Sequence, residues 1–142
     1  MARPSTAADI MTTEVLSVDD SQSMQSVAEM LEVFRFRHMP VTDDGGLLGL
    51  LSQRDVLRAS ASSASPRHDA EGDFLGQTLR VKDIMSTDLH TVRPDTPLEE
   101  VAKLMHGHKH GCIPVITGHN TLVGLITEAD FVRLAIDLLR TS

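Results

Sequence analysis

Two short stretches of the sequence carry the side chains best suited to holding a polar ligand. One reads GLLSQRD and ends at Asp55, and the other reads GLITEAD and ends at Asp130. Each follows a short apolar run and precedes apolar residues at helical spacing. The hydroxyls of Ser52 and Thr127 should therefore lie where a strand ends, and each aspartate in the first turn of a helix. Because backbone N–H groups at a helix start are unpaired and favour anions, we expect a polar ligand at each stretch.

The two stretches belong to a duplication that covers most of the chain. Asp9-Ile10-Met11-Thr12 recurs 74 residues later as Asp83-Ile84-Met85-Ser86, and Met39-Pro40-Val41 recurs at the same offset as Ile113-Pro114-Val115. Repetition at a fixed period indicates a repeated structural unit. The hydrophobic patterns predict the same β-α-β-β-α order in both copies. The predicted fold class is therefore α/β, of the α+β type.

The elements that position the first motif can be located from their residue patterns. Val15–Val18 is a strand candidate, and a helix is expected to begin after a polar segment at 19–23. One face of that helix is apolar and consists of Met24, Val27, Ala28, Leu31 and Phe34. The helix after the first motif should run from Gln53 to about Ala59, and the last helix from about Glu128 to Leu139.

Composition divides the chain into a first repeat at 8–60, a linker at 61–79 and a second repeat at 80–139. The linker opens with a run of Ala, Ser and Pro and continues with mixed charges, which is typical of flexible chain. A single repeat would bury little surface. We therefore expect the two repeats to pack on each other as an internal pseudo-dimer.

Bulk properties exclude several classes of function. The 142 residues carry a net charge of −7 without a basic stripe, which disfavours direct nucleic-acid binding. Four Phe residues and no Trp or Tyr leave no base-stacking platform. The apolar runs are too short to cross a membrane, and the first residues lack the apolar core of a signal peptide. With one cysteine and no disulfide to form, we expect a cytoplasmic protein.

The pattern as a whole resembles a known family. A βαββα unit that opens with D-I-M-[ST], carries an apolar-Pro-Val strand and closes with G-h-h-[ST]-x-x-D, where h is apolar, is similar to the CBS domain, named for cystathionine β-synthase. Two in tandem resemble a Bateman module. The resemblance covers about residues 8–60 and 80–139. No single motif is specific, so the identification depends on both copies of all three motifs in the same order.

The resemblance implies a regulatory protein that is not an enzyme. Tandem CBS modules typically bind AMP, ADP, ATP or another adenosine-containing ligand in two clefts between the repeats. In similar proteins the motif aspartate takes the ribose hydroxyls and the Ser or Thr contacts ribose or phosphate. This implies one cleft with Ser52 and Asp55 and another with Thr127 and Asp130. An ionised carboxylate can accept both hydroxyls of a cis-diol, in bonds worth roughly 1.5–3 kcal/mol each.

The resemblance also implies that the opening segment of one repeat lies against the motif aspartate of the other. The residues expected near Asp130 are Thr12, Leu16, Arg37, His38 and Met39. The residues expected near Asp55 are Ser86, His90, Cys112 and Ile113.

The two motifs differ at one charged position. The first motif contains Arg54, whose guanidinium presents paired N–H donors suited to phosphate. The second has Ala129 at the aligned position, next to Glu128. The cleft of the first motif should therefore prefer phosphorylated ligands. The second should take adenosine-like ligands or stay empty, unless Arg37 or His38 supplies the missing charge.

Other interpretations of these residues stay open. The motif hydroxyls and aspartates could act only as helix caps. A cluster of soft and borderline ligands could instead bind Zn, Ni or Cu, and it consists of His106, His108, His110, Cys112 and His119. Cys112 alone could also be a buried, inert thiol. No nucleophile or phosphate-binding motif supports catalysis, so we predict no catalytic residue, no metal ion and no cofactor beyond the regulatory ligand.

The last helix predicts a homodimer. One apolar stripe contains Phe131 and Leu134, and an adjacent stripe contains Val132, Ile136 and Leu139. A helix with two apolar stripes normally contacts two neighbours, and a two-fold partner could cover the second. Since the module contains no effector domain of its own, any output should pass through another protein.

Overall fold

The structure is a computed structural model that describes residues 3–63, 79–108 and 111–140. Most of the expected linker at 61–79 lies outside the described residues, as does His110 of the histidine cluster. None of the helices in these three ranges is long and apolar enough to cross a membrane.

The chain forms two compact units that do not coincide with the two sequence repeats. The first unit is Leu16–Asp88, and the second combines Met1–Val15 with Leu89–Ser142. Each unit therefore contains the opening segment of one repeat and the ligand motif of the other. This exchange could not be read from the repeat boundaries, because it joins segments that are distant in sequence.

The first unit is built on a hairpin covered by helices. Its elements are β1 (Val18–Asp19), α2 (Met24–Phe34), β2 (His38–Asp43), β3 (Gly46–Ser52), α3 (Gln53–Ser63) and α4 (Val81–Ile84). Strand β1 runs parallel to β2, and β2 runs antiparallel to β3. The buried core consists of Val18, Met24, Val27, Leu31, Met39, Val41, Leu51, Val56 and Val81.

The second unit repeats this plan. Its elements are α1 (Ala7–Ile10), α5 (Leu98–His108), β4 (Cys112–Thr117), β5 (Thr121–Thr127) and α6 (Glu128–Arg140). Strands β4 and β5 are antiparallel, and Val92 makes a parallel bridge to Val115 where the first unit has β1. The buried core consists of Ala7, Val92, Val101, Met105, Ile113, Val115 and Ile126.

The mixed α/β class and the repeated unit are confirmed, with local differences. The first strand begins three residues later than predicted, at Val18, and α3 continues to Ser63 instead of ending near Ala59. Phe34, which was placed on the apolar face of α2 with residues that are buried, is 60% exposed. The helix ends there, because Arg35 adopts a left-handed conformation with φ of 52°. The packing of one repeat on the other as a pseudo-dimer stays a prediction.

Backbone hydrogen bonds fix each opening segment against a motif strand. Thr12 and Leu125 exchange two N–H···O bonds, of 2.8 and 3.0 Å. In the first unit Ser86 and Leu50 exchange an equivalent pair, of 2.9 and 3.0 Å. The D-I-M-[ST] segment of each repeat therefore lies beside the strand that leads into the other repeat's motif.

The motif glycines allow this close approach. A Cβ atom on Gly49 would lie 2.7 Å from the Ser86 carbonyl oxygen and 2.8 Å from Met85 Sδ. We expect Gly49→Ala to lower the free energy of unfolding by about 1–3 kcal/mol, because backbone atoms must shift to relieve the overlap. Urea unfolding measures this. Gly107→Ala is the control, since a Cβ there meets nothing within 4 Å, and an equal loss in both variants would contradict the steric explanation.

Candidate functional site

The first motif forms a helix cap that uses only one of its carboxylate oxygens. Ser52 is the last residue of β3 and Asp55 lies in the first turn of α3. The Asp55 N–H donates to Ser52 Oγ, and the Ser52 N–H donates to Asp55 Oδ2, both at 3.1 Å. Within the described ranges, no hydrogen bond or ion pair reaches Asp55 Oδ1. Ser52 and Asp55 therefore do cap α3, and the cap leaves Oδ1 available as an acceptor.

The second motif shares the backbone N–H bond to the aspartate, but its carboxylate is more fully bonded. Asp130 Oδ2 accepts the Thr127 N–H at 2.8 Å and the Thr127 hydroxyl at 3.3 Å. Asp130 Oδ1 accepts the Thr12 hydroxyl at 3.5 Å and a guanidinium N–H of Arg133. Asp130 is only 4% exposed, so its charge is compensated by these donors and not by water.

A pocket of about 300 Å³ opens beside Asp130 in the second unit. Its lining residues are Pro4, Asp9, Ile10, Met11, Thr12, Asp130, Arg133, Leu134 and Asp137. Three carboxylates and one guanidinium give the lining a negative balance. Arg133 was not among the predicted site residues, although the repeated D-x-x-R spacing, with Arg58 after the first motif, was a visible signal.

The remaining predicted residues fall into two groups. Thr12 and Ser86 lie in the units where the resemblance placed them, Thr12 bonded to Asp130 itself and Ser86 to Leu50 on the first motif strand. His38 lies opposite Ser52 across the β2–β3 hairpin, and Cys112 lies opposite Thr127 across β4–β5.

Within its unit, each of these two residues thus neighbours its own motif. Their assignment to the other aspartate, and the same assignment of Leu16, Arg37, Met39, His90 and Ile113, stay predictions.

Cys112 is placed as a buried thiol. Burial raises its pKa from 9.0 to about 12, and the negative charge of Asp130 adds to the increase. A thiol with such a pKa stays protonated at neutral pH and is a poor nucleophile and metal ligand.

In the described ranges, His108 of the predicted metal cluster contacts a histidine that is outside that cluster, His90. The rings of His90 and His108 stack with centroids 4.2 Å apart and planes 25° apart. Among the described residues, no three His, Cys, Asp or Glu side chains are placed to hold one metal ion.

Comparison with known proteins gives a consistent family assignment. The family model for the CBS domain matches residues 7–62 and 81–137. CBS domain-containing protein YhcV of Bacillus subtilis is 32% identical over 127 residues, which cover 89% of this chain and 82% of YhcV. A solved structure of Vibrio cholerae AcuB is 34% identical, with a TM-score of 0.77 over 95% of this chain and 93% of AcuB. The structure of CBSX2, solved in complex with AMP, is 28% identical, with a TM-score of 0.78 over 95% of this chain and 98% of CBSX2.

Some relatives are much longer proteins. The chain spans only 23% of the length of several archaeal homoserine O-acetyltransferases that it matches. The similarity to these enzymes is therefore confined to a part of each. Because the family model matches both repeats, and both units hold the motif with the same N–H bond to its aspartate, the chain belongs to the CBS domain family.

Proposed function

We propose that the protein is a regulatory module that binds an adenine nucleotide, with Asp55 as the residue that accepts the ribose hydroxyls. The observation that carries this proposal is the open Oδ1 of Asp55 at the start of α3. A carboxylate held by its cap through one oxygen is oriented and still has acceptor capacity for a diol. The AMP complex of CBSX2 supports the choice of ligand class.

The start of α3 also suits the phosphate of a nucleotide. Arg54 lies next to Asp55, is exposed and is free to turn toward an anion. The positive end of the α3 helix dipole adds to this preference, although the N–H groups of Gln53 and Asp55 already donate to Arg37 and Ser52. We therefore expect AMP, ADP or ATP to bind at this motif more tightly than adenosine does.

A panel of AMP, ADP, ATP, adenosine and GMP tests the proposal in thermal unfolding. A ligand that binds only the folded state at 100 times its Kd stabilises it by about 2.7 kcal/mol, so an adenine nucleotide should raise the unfolding midpoint by several degrees. GMP is the control for base selectivity. If no adenine compound shifted the midpoint, the protein would instead be a ligand-free interaction scaffold.

The module is proposed to act in the cytoplasm through another protein and not as an enzyme. Its motif carboxylates serve as helix caps and acceptors, and its one thiol is buried with a raised pKa. Chromatography of nucleotide recovered after incubation checks this: the ligand should come back unchanged.

We also propose a homodimer formed through α6. Val132 and Ile136 are 58% and 44% exposed on the second apolar stripe of this helix. Sedimentation at micromolar concentration should give a mass near twice 15.5 kDa, because a second copy covers this stripe. Val132→Glu with Ile136→Glu should give a monomer, whereas Lys103→Glu on α5 should leave the mass unchanged. A monomeric wild type would refute the proposal.

A further inference from the structure

The two motifs share an arginine three residues after the aspartate, but its contacts differ. Arg133 forms an ion pair with Asp130. Arg58 holds the aligned position on α3, and within the part of the chain that the structure describes it forms no ion pair with Asp55. The same pair of residue types therefore has two different states in one chain.

We propose that Arg133 closes the second motif to ribose, so that the module binds one nucleotide per chain, at Asp55. This inference rests on the proposed function and specifies its stoichiometry. Arg133 is then a specificity-determining residue, because it decides whether the second aspartate can accept a ligand.

The acceptor capacity of Asp130 supports this proposal. A carboxylate offers about four lone-pair sites. In Asp130 they are occupied by the Thr127 N–H, the Thr127 hydroxyl, the Thr12 hydroxyl and the Arg133 guanidinium. A cis-diol needs two of these sites. At Asp55, by contrast, the cap occupies a single oxygen.

The strengths of these bonds indicate that Arg133 is the donor that keeps a ribose diol from bonding to Asp130. The Thr12 hydroxyl bond, at 3.5 Å, is at the long end of the range and would yield readily to a ligand hydroxyl. The Arg133 bond is charge-assisted, and its acceptor is almost fully buried. The Arg133 side chain is 69% exposed, so replacing it should remove the bond without leaving a cavity in the core.

The surroundings of Asp130 determine which ligand would enter if Arg133 were removed. Asp9 and Asp137 line the same pocket, and Glu128 begins α6. With the guanidinium gone, the lining carries only negative charges and repels a phosphate. An uncharged adenosine should therefore enter the opened site more readily than AMP.

Calorimetric titration of the full chain with adenosine and AMP tests the inference. The wild type should bind one molecule per chain. Arg133→Met should bind two molecules of adenosine, with affinity at the new site at least tenfold above any residual wild-type binding there. Arg58→Met is the matched control and should keep one site. Arg133→Gln is a second variant, in case Arg133→Met folds poorly, and the double variant Arg133→Met with Asp130→Asn should lose the new site.

Each result of this titration supports or overturns the inference. Two occupied sites in the wild type, or one site in both Arg133 variants, would overturn it while leaving ligand binding at Asp55 intact. A wild type that binds nothing, together with an Arg133 variant that binds once through Asp130, would support the closing role of Arg133 but refute binding at Asp55, and with it the stoichiometry and the proposed function. No binding in any variant would overturn both.

Discussion

Asp55→Asn should lower the affinity for AMP by about a hundredfold or more. Two bonds from the ribose hydroxyls to an ionised carboxylate are worth roughly 1.5–3 kcal/mol each, and a neutral amide retains only part of that. The amide oxygen can still accept the Ser52 N–H, so the cap of α3 should survive. Calorimetry gives the change in Kd, and the unfolding midpoint without ligand shows whether the fold is kept.

Asp44→Asn is the matched control for this substitution. Asp44 lies in the β2–β3 turn with φ of 52°, a conformation that Asn tolerates well. The Asp44→Asn variant should therefore bind AMP like the wild type. Asp130→Asn provides the sharper comparison. Equal losses of AMP affinity in Asp55→Asn and Asp130→Asn would contradict the assignment of the nucleotide to the first motif.

The phosphate preference of the first motif can be tested separately. Arg54→Met should weaken AMP binding by about tenfold and leave adenosine binding unchanged, because a charged hydrogen bond to phosphate is worth roughly 1.5–3 kcal/mol. Equal effects on the two ligands would mean that Arg54 shapes the site without contacting phosphate.

The Cys112 thiol should react with iodoacetamide about a thousand times more slowly in the native protein than in the unfolded chain at pH 8. Its pKa rises from 9.0 to about 12, so the native thiolate fraction is lower by a factor of about 10³. Mass spectrometry after timed labelling, with and without urea, measures the ratio. Comparable native and unfolded rates would show that the thiol is accessible.

The same pKa shift predicts a loss of stability in alkali. Below pH 9.0 the thiol is protonated in the folded and the unfolded state, so the stability that comes from burying the neutral thiol is fully present. Between 9.0 and about 12 only the unfolded thiol ionises, and stability falls by about 1.4 kcal/mol per pH unit. Cys112→Ala lacks this titration, so its urea midpoint should fall less between pH 9 and 11 than that of the wild type.

The sequence alone determined the repeated unit, the family and the local form of each motif. The caps at Ser52 and Thr127 follow from residues three positions apart, whose contacts are set by the first turn of a helix. The strand-to-helix switch at each motif follows in the same way, from the change in hydrophobic periodicity. These features depend on residues that are close in sequence, so the local sequence pattern is enough to predict them.

Only the tertiary structure decided which aspartate is open. The bond between Thr12 and Asp130 joins residues 118 positions apart, so no local pattern contains it. The D-x-x-R spacing is identical in both copies, yet among the residues that the structure describes an ion pair forms at Arg133 and not at Arg58. Burial of Asp130, and the donors that surround it, arise when distant segments pack together. The motif sequences therefore identify two equivalent carboxylates, and the packing around each carboxylate determines how many of its lone pairs remain for a ligand.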